Sequence, residues 1–266
     1  MRIVTLFVIS LAVSSGVPFI SQPQPHSLLT NYNRFPLALD TPTPRLSWNN
    51  DFLLFPSTPK LLRGVKQVAF EIEVQVDACS ACSGRGCSCI FWASGQVPSL
   101  DPWTTLPLPL PSLTTGSWRV RVWSNVSLAS NASSATTVTI GPSLWSTSAA
   151  FETGPLLARD WQHAPWIARD LSPPLDTCDL FKDTPYPLLR WSPSLPSSWD
   201  PASARLYITG LGYFRVSVNG RTAGESALQP SWSNYNHTVP FVALDISSML
   251  PPSGDVTIDV WLGAGW

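Results

Sequence analysis

Apolar and polar residues alternate one by one along this chain, and no helical repeat interrupts them. Leu206 and Ile208 alternate with Tyr207 and Thr209, which is the period of a half-buried strand. After Gly210-Leu211-Gly212 the alternation resumes, with Phe214, Val216 and Val218 on one side and Tyr213, Arg215 and Ser217 on the other. Asn219-Gly220 follows, the dipeptide that accepts the two positive φ angles of a tight hairpin. The spacing predicts a strand, a glycine-marked bend that carries it from one sheet to the next, a second strand and a reversal.

The same period recurs upstream. In RGVKQVAFEIEVQV, Val68, Phe70, Ile72, Val74 and Val76 share one face, and Ala69, Glu71, Glu73 and Gln75 share the other. In SWRVRVW, Trp118, Val120 and Val122 alternate with Arg119, Arg121 and Trp123. Thr41-Pro42-Thr43-Pro44 must be extended, because each proline fixes φ and pushes its predecessor out of the helical region.

Composition sharpens this. The 266 residues leave room for about two domains. The hydrophobic share of 44% supplies a core, whereas charged residues are only 12%, about half the usual share. Together with 27 prolines and 13 tryptophans this predicts an all-β chain of sandwiches joined by proline-rich loops. The formal net charge of −1 provides no field for nucleic acid, so such a partner is not expected.

Met1-Arg2, the apolar run Ile3–Val13 and the small residues Ala12, Ser14, Ser15 and Gly16 read as a signal peptide over residues 1–20. The run is shorter than the ~20 apolar residues that a membrane span needs. No later segment supplies such a span, so a secreted protein is expected. The sequons at Asn125, Asn131 and Asn236 agree with that destination and are candidate glycosylation sites.

Cys79, Cys82, Cys87 and Cys89 crowd into DACSACSGRGCSC. The C-x2-C spacing would suit zinc, but the second pair is C-x-C and the compartment is oxidising. Disulfides are expected; Cys79–Cys89 nested around Cys82–Cys87 is one of three pairings the sequence leaves open. Cys178 is left odd.

Glu71 and Glu73 lie about 7 Å apart along one strand face, near the carboxylate separation of an inverting glycosidase. Two acids alternating with core residues read more simply as a solvated sheet surface. Asp176, Asp179 and Asp183 form an acidic loop that lacks the glycine-turned ligand spacing of a calcium site. His26, His163 and His237 are scattered, with no nucleophile motif nearby. Gly210-x-Gly212 and Gly263-x-Gly265 lack the third glycine and following helix of a phosphate cradle. No catalytic residue, metal ligand or cofactor is assigned.

Several unusual clusters recur here in one order. RLYITGLGYFRVSVNGRTAG, LQPSWSNYN, VALDISSML and VWLGAGW resemble the N-terminal β-domain of bacterial-type α-L-rhamnosidases, inverting multidomain enzymes of the glycoside hydrolase family 78 kind. PLALDTPTPRLSW, from Pro36 to Trp48, resembles the opening strand of the fibronectin-like sandwich that begins many of them. Phe91–Val97, Trp118–Val122, Leu144–Ser146 and Ala150–Gly154 resemble its later strands, although Ala93 stands where an aspartate is usual. Asp160-Trp161 and Pro165-Trp166-Ile167 resemble the junction into the next domain.

The resemblance implies a fibronectin type III-like β-sandwich over residues 25–155 and a jelly-roll-like β-domain over 156–266, incomplete at its C-terminus. It places the hydrolytic glutamates in an (α/α)6 barrel beyond this sequence, so the expected partner is that missing catalytic domain. The 266 residues by themselves are then expected to be inactive. The expected role is the non-catalytic N-terminal portion of a secreted rhamnosidase-like protein, holding the barrel and contacting a rhamnose-containing glycan. Tyr213, Trp232 and Tyr235 are the candidate sugar contacts, since an aromatic face packs on the C–H face of a pyranose. Some relatives bind rhamnose through calcium in this region, and no calcium ligand is assigned here. The alternative is a free-standing carbohydrate-binding or adhesive module.

Overall fold

The structure, a computed structural model, describes residues 24–50, 65–77, 88–131, 134–161, 163–168, 187–197, 204–224 and 228–263, with the side chains of 128–136 left aside. The signal-peptide reading, the acidic loop at Asp176–Asp183 and the cysteines at 79, 82, 87 and 178 lie outside those residues.

The first sandwich contains β1 (Pro25–Thr30), β2 (Arg45–Asn50), β3 (Lys66–Asp77), β4 (Ser88–Ala93), β5 (Val97–Pro98), β6 (Trp103–Thr105), β7 (Thr115–Asn131), β8 (Ser134–Ile140) and β9 (Ala149–Glu152). One layer is the antiparallel sheet β1-β2-β6. The other runs β4-β3-β7-β8, with β5 alongside β3 and β9 alongside β7. The inward residues of both layers make one core, in which Trp48, Phe70, Ile72, Val74, Trp118, Val120, Val122 and Phe151 are buried. Trp118 packs edge-on to Trp48 with ring centroids 6.5 Å apart, and its Nε1–H donates to Thr30 Oγ1 at 2.9 Å.

Two expectations need correction here. The opening strand is not in Pro36–Trp48; the first described strand is β1, and pairing within that block begins only at Arg45. Proline has no N–H to give a ladder, so Pro36–Pro44 stays outside the sheets, apart from a bridge between Leu39 and Thr153. The predicted face of β3 also slips at its start. The register with β7 shifts between Gln67 and Ala69, so Gln67 and Ala69 are buried in place of Val68. Buried Gln67 is fully engaged. Its Oε1 accepts from Trp48 Nε1 and Asn50 Nδ2, and its Nε2 donates to the carbonyls of Ser99 and Asp101.

The second unit contains β10 (Leu188–Trp191), β11 (Ser194–Leu195), β12 (Arg205–Ile208), β13 (Phe214–Val218), β14 (Arg221–Ala223), β15 (Val242–Asp245), β16 (Gly254–Asp255) and β17 (Ile258–Leu262). The sheet β10-β17-β13-β14 faces the pairs β12-β15 and β11-β16. Phe214, Val216, Val218, Leu244, Val256 and Ile258 are buried between them. Gly210-Leu211-Gly212 joins β12, in one sheet, to β13, in another, as the alternation predicts. Asn219 and Gly220 turn the β13–β14 hairpin with φ of 51° and 76°, values a side chain other than Asn or Asp rarely tolerates.

Candidate functional site

A cleft of about 710 Å³ opens where the chain passes from the first sandwich to the second. Its wall is built from the bend Ile208–Tyr213, from Trp161 and Trp166 on the connecting segment, and from Tyr207 and Phe241. The bend positions this wall because it must leave one sheet and enter another, which turns its backbone away from both ladders. Phe241 is the hinge of the aromatic set, edge-on to Trp161 at 5.5 Å and to Tyr207 at 6.2 Å. Thr209 is tied down, its Oγ1–H donating to the Pro240 carbonyl at 2.7 Å. Burial raises the Tyr207 phenol above its ordinary value, and the nearby Glu152 charge adds to that, so this hydroxyl stays protonated.

Among the described residues that line the cleft, none is a carboxylate, histidine or lysine. The arrangement suits holding a ring-shaped ligand by contact, within the ~300–1,000 Å³ range of small-molecule sites.

The three predicted sugar contacts separate. Tyr213 lines the cleft, half-buried, and its carbonyl accepts from the Gly263 N–H at 2.7 Å. Trp232 is exposed and Tyr235 sits half-buried in a turn, and neither lines the cleft. Sequence reading missed Tyr207 and Phe241, because their convergence depends on how β12 pairs with β15. Trp161 and Trp166 carried a signal, since both lie in the recognised junction.

Glu71 and Glu73 are occupied otherwise. Each sits opposite an arginine across β3 and β7, Glu71 bonded to Arg121 at 2.7 Å and Glu73 to Arg119 at 2.6 Å. The Trp145 ring lies 4.6 Å from both guanidinium carbons, completing a cation–π ladder on the outer sheet face. Cys89, on β4, is disulfide-bonded. Of the sequons, Asn125 is on β7 with its Oδ1 accepting from Thr139 Oγ1 at 2.6 Å, and Asn236 is exposed in a turn. The side chain of Asn131 lies outside the described set. No helix among the described residues is long and apolar enough to cross a membrane, and no cluster of three or more His, Cys, Asp or Glu side chains could hold a metal ion among them.

The two sandwiches are clasped beside the cleft. Arg205 on β12 forks onto Glu152 at the end of β9, with Nε to Oε2 at 2.7 Å and Nη2 to Oε1 at 2.5 Å. Its Nη1 lies 3.0 Å from Asp245 Oδ1. The Ser247 hydroxyl and N–H bonds, with Arg205 behind them, hold the Asp245 carboxyl below the ordinary aspartate value. Hydrogen bonds from Ser112 and the Leu157 N–H do the same for Asp160, and Arg190 does so for Asp259. Such groups stabilise the fold above the unfolded pKa near 3.9, and the gain is lost as pH falls through the lowered folded values. Thermal melts should therefore drop between pH 5 and pH 3. Asp245→Asn should shrink that drop, and an unchanged difference would refute the assignment.

Relatives agree with this architecture. Residues 25–157, half of the chain, match the family model described as the Rha78A-like N-terminal immunoglobulin domain. Residues 200–266 match the α-L-rhamnosidase N-terminal domain. An α-L-rhamnosidase of Formosa agariphila is 26% identical over 268 residues, covering 99% of this chain and 26% of that protein. One from Alteromonas sp. is 30% identical over 151 residues, 56% of this chain and 14% of that protein. The fold matches an α-L-rhamnosidase structure from Dictyoglumus thermophilum with a TM-score of 0.66 at 23% identity, covering 92% of this chain and 26% of that one. An Aspergillus terreus α-L-rhamnosidase gives 0.62 at 24% identity, over 91% and 24%. The chain thus spans about a quarter of the length of the first of these relatives. The two matched domains, in the same order, and the paired sandwiches together show that the chain belongs to the α-L-rhamnosidase family, as its N-terminal region.

Proposed function

We propose that the chain is the non-catalytic, glycan-contacting scaffold of a secreted α-L-rhamnosidase-like protein whose hydrolytic machinery lies in a separate catalytic domain. The observation that carries this reading is the cleft walled by Trp161, Trp166, Tyr207, Tyr213 and Phe241. Its rings offer stacking area to a sugar, and the clasp at Arg205 keeps the two sandwiches in one arrangement for a catalytic domain to rest on. The parent activity is the removal of terminal α-L-rhamnose, taken from the relatives' names.

Titration with methyl α-L-rhamnoside, with calcium and with chelator, tests the contact role. Ligand at ten times its Kd should stabilise the fold by about 1.4 kcal/mol, read as a rise in melting temperature. Tyr213→Ala should abolish that rise. Absence of any shift in both conditions would remove the glycan contact, and rhamnoside cleavage by the purified chain would remove the non-catalytic role.

A further inference from the structure

The outer face of the sheet β10-β17-β13-β14 carries polar groups that neither the core nor the cleft uses. Side chains alternate across a sheet, so while Phe214, Val216 and Val218 fill the core, Arg215 and Ser217 point away from it. Register places Leu188, Trp261 and Arg215 side by side in one row. Arg190, Asp259, Ser217 and Thr222 form the next row. Cross-strand neighbours lie about 4.5–5.5 Å apart and successive rows about 7 Å, so the two rows frame an area the size of one or two sugar rings.

Charge on this patch is uneven. Asp259, whose side chain is 8% exposed, receives both arms of Arg190, Nε to Oδ1 at 2.7 Å and Nη2 to Oδ2 at 3.0 Å. That carboxylate is neutralised. Arg215 is exposed, and among the described residues its guanidinium meets only a neutral acceptor, Thr222 Oγ1 at 3.1 Å. Beside that bond the hydroxyl of Ser217, a residue only 4% exposed, has no hydrogen-bond partner among the described residues. Next to Arg215 stands the Trp261 indole, 40% exposed. A spare cation, an unfilled hydroxyl and an open aromatic face therefore adjoin one another. An apolar partner would strand the cation and the hydroxyl without compensation.

We infer that this face binds a saccharide bearing a carboxylate, a uronic acid residue. Trp261 stacks on the C–H face of the ring, and Arg215 swings from Thr222 to fork onto the carboxylate. The hydroxyls of Thr222 and Ser217, uncovered by that movement, take ring hydroxyls. The site goes beyond the cleft and shares no residue with Tyr213 or its neighbours.

Binding by the whole chain of methyl β-D-glucuronide and of methyl β-D-glucoside, which differ in that one carboxylate, tests this by NMR titration. The glucuronide should bind at least tenfold more tightly, and Arg215→Met and Trp261→Ala should each cost it tenfold or more. Trp261→Phe keeps an aromatic face and should retain most of the affinity, should the alanine variant prove unstable. Tyr213→Ala should leave glucuronide binding unchanged while abolishing any rhamnoside response, which separates this site from the cleft. Equal affinity for the two sugars, no glucuronide binding at millimolar concentration, or indifference to Arg215→Met would overturn the inference.

Discussion

Trp118→Ala should cost the first sandwich about 3–5 kcal/mol, the range for deleting a large buried aromatic side chain. The residue is 1% exposed at the centre of the core, between the layers that β1-β2-β6 and β3-β7 form. Its loss opens a cavity against Trp48 and leaves Thr30, fully buried, without the indole donor. An unpaired buried hydroxyl adds about 1–3 kcal/mol of that cost. Trp118→Phe weighs the two parts differently, because it leaves a much smaller cavity than alanine while still removing the N–H. Total stability of a domain is about 5–15 kcal/mol, so the alanine variant should be close to unfolded at physiological temperature. Urea titration followed by circular dichroism measures both variants. A loss below 1 kcal/mol for the alanine would mean that the layers do not depend on this side chain.

Arg205→Ala should destabilise the pairing of the two sandwiches by about 2–4 kcal/mol, somewhat under the cost of breaking a fully buried ion pair. The Arg205 and Glu152 side chains are 16% and 22% exposed, so solvent screens them only in part. Removing the arginine leaves Glu152 half-buried with its main partner gone, and removes the bonds to Asp245 and Ser247 as well. Combining Arg205→Ala with Glu152→Ala should recover part of the loss, a coupling of about 0.5–3 kcal/mol for contacting residues. Calorimetry should then resolve two transitions where the parent chain shows one. A single unchanged transition in Arg205→Ala would show that packing around Gly154 and Phe241 holds the units together without the clasp.

The parts of this fold that the sequence shows are those where one residue's environment repeats two positions along. Phe70 to Val76 and Phe214 to Val218 are legible for that reason, and so is the Asn219-Gly220 turn, which is fixed by its own φ angles. The slip at Gln67 is not legible, because a bulge is set by the register with β7 and not by β3 itself. Strand β1 is hidden for a similar reason. Its buried residues do not alternate, Ser27 has φ of 51°, and its pairing with β2 shifts between His26 and Leu29. The clasp joins positions 152 and 205, and only the meeting of two domains brings them within reach. The cleft was half visible. Its tryptophans lie in a recognisable junction, whereas Tyr207 and Phe241 look in sequence like ordinary strand aromatics.

The bend at Gly210-Leu211-Gly212 belongs to the cleft wall and to the chain path of both sheets at once. A guest seated against it presses on the corner from which β12 and β13 diverge, so the two layers cannot respond separately. Occupancy would register as slower amide exchange on both sides of the sandwich, far from any atom the guest touches.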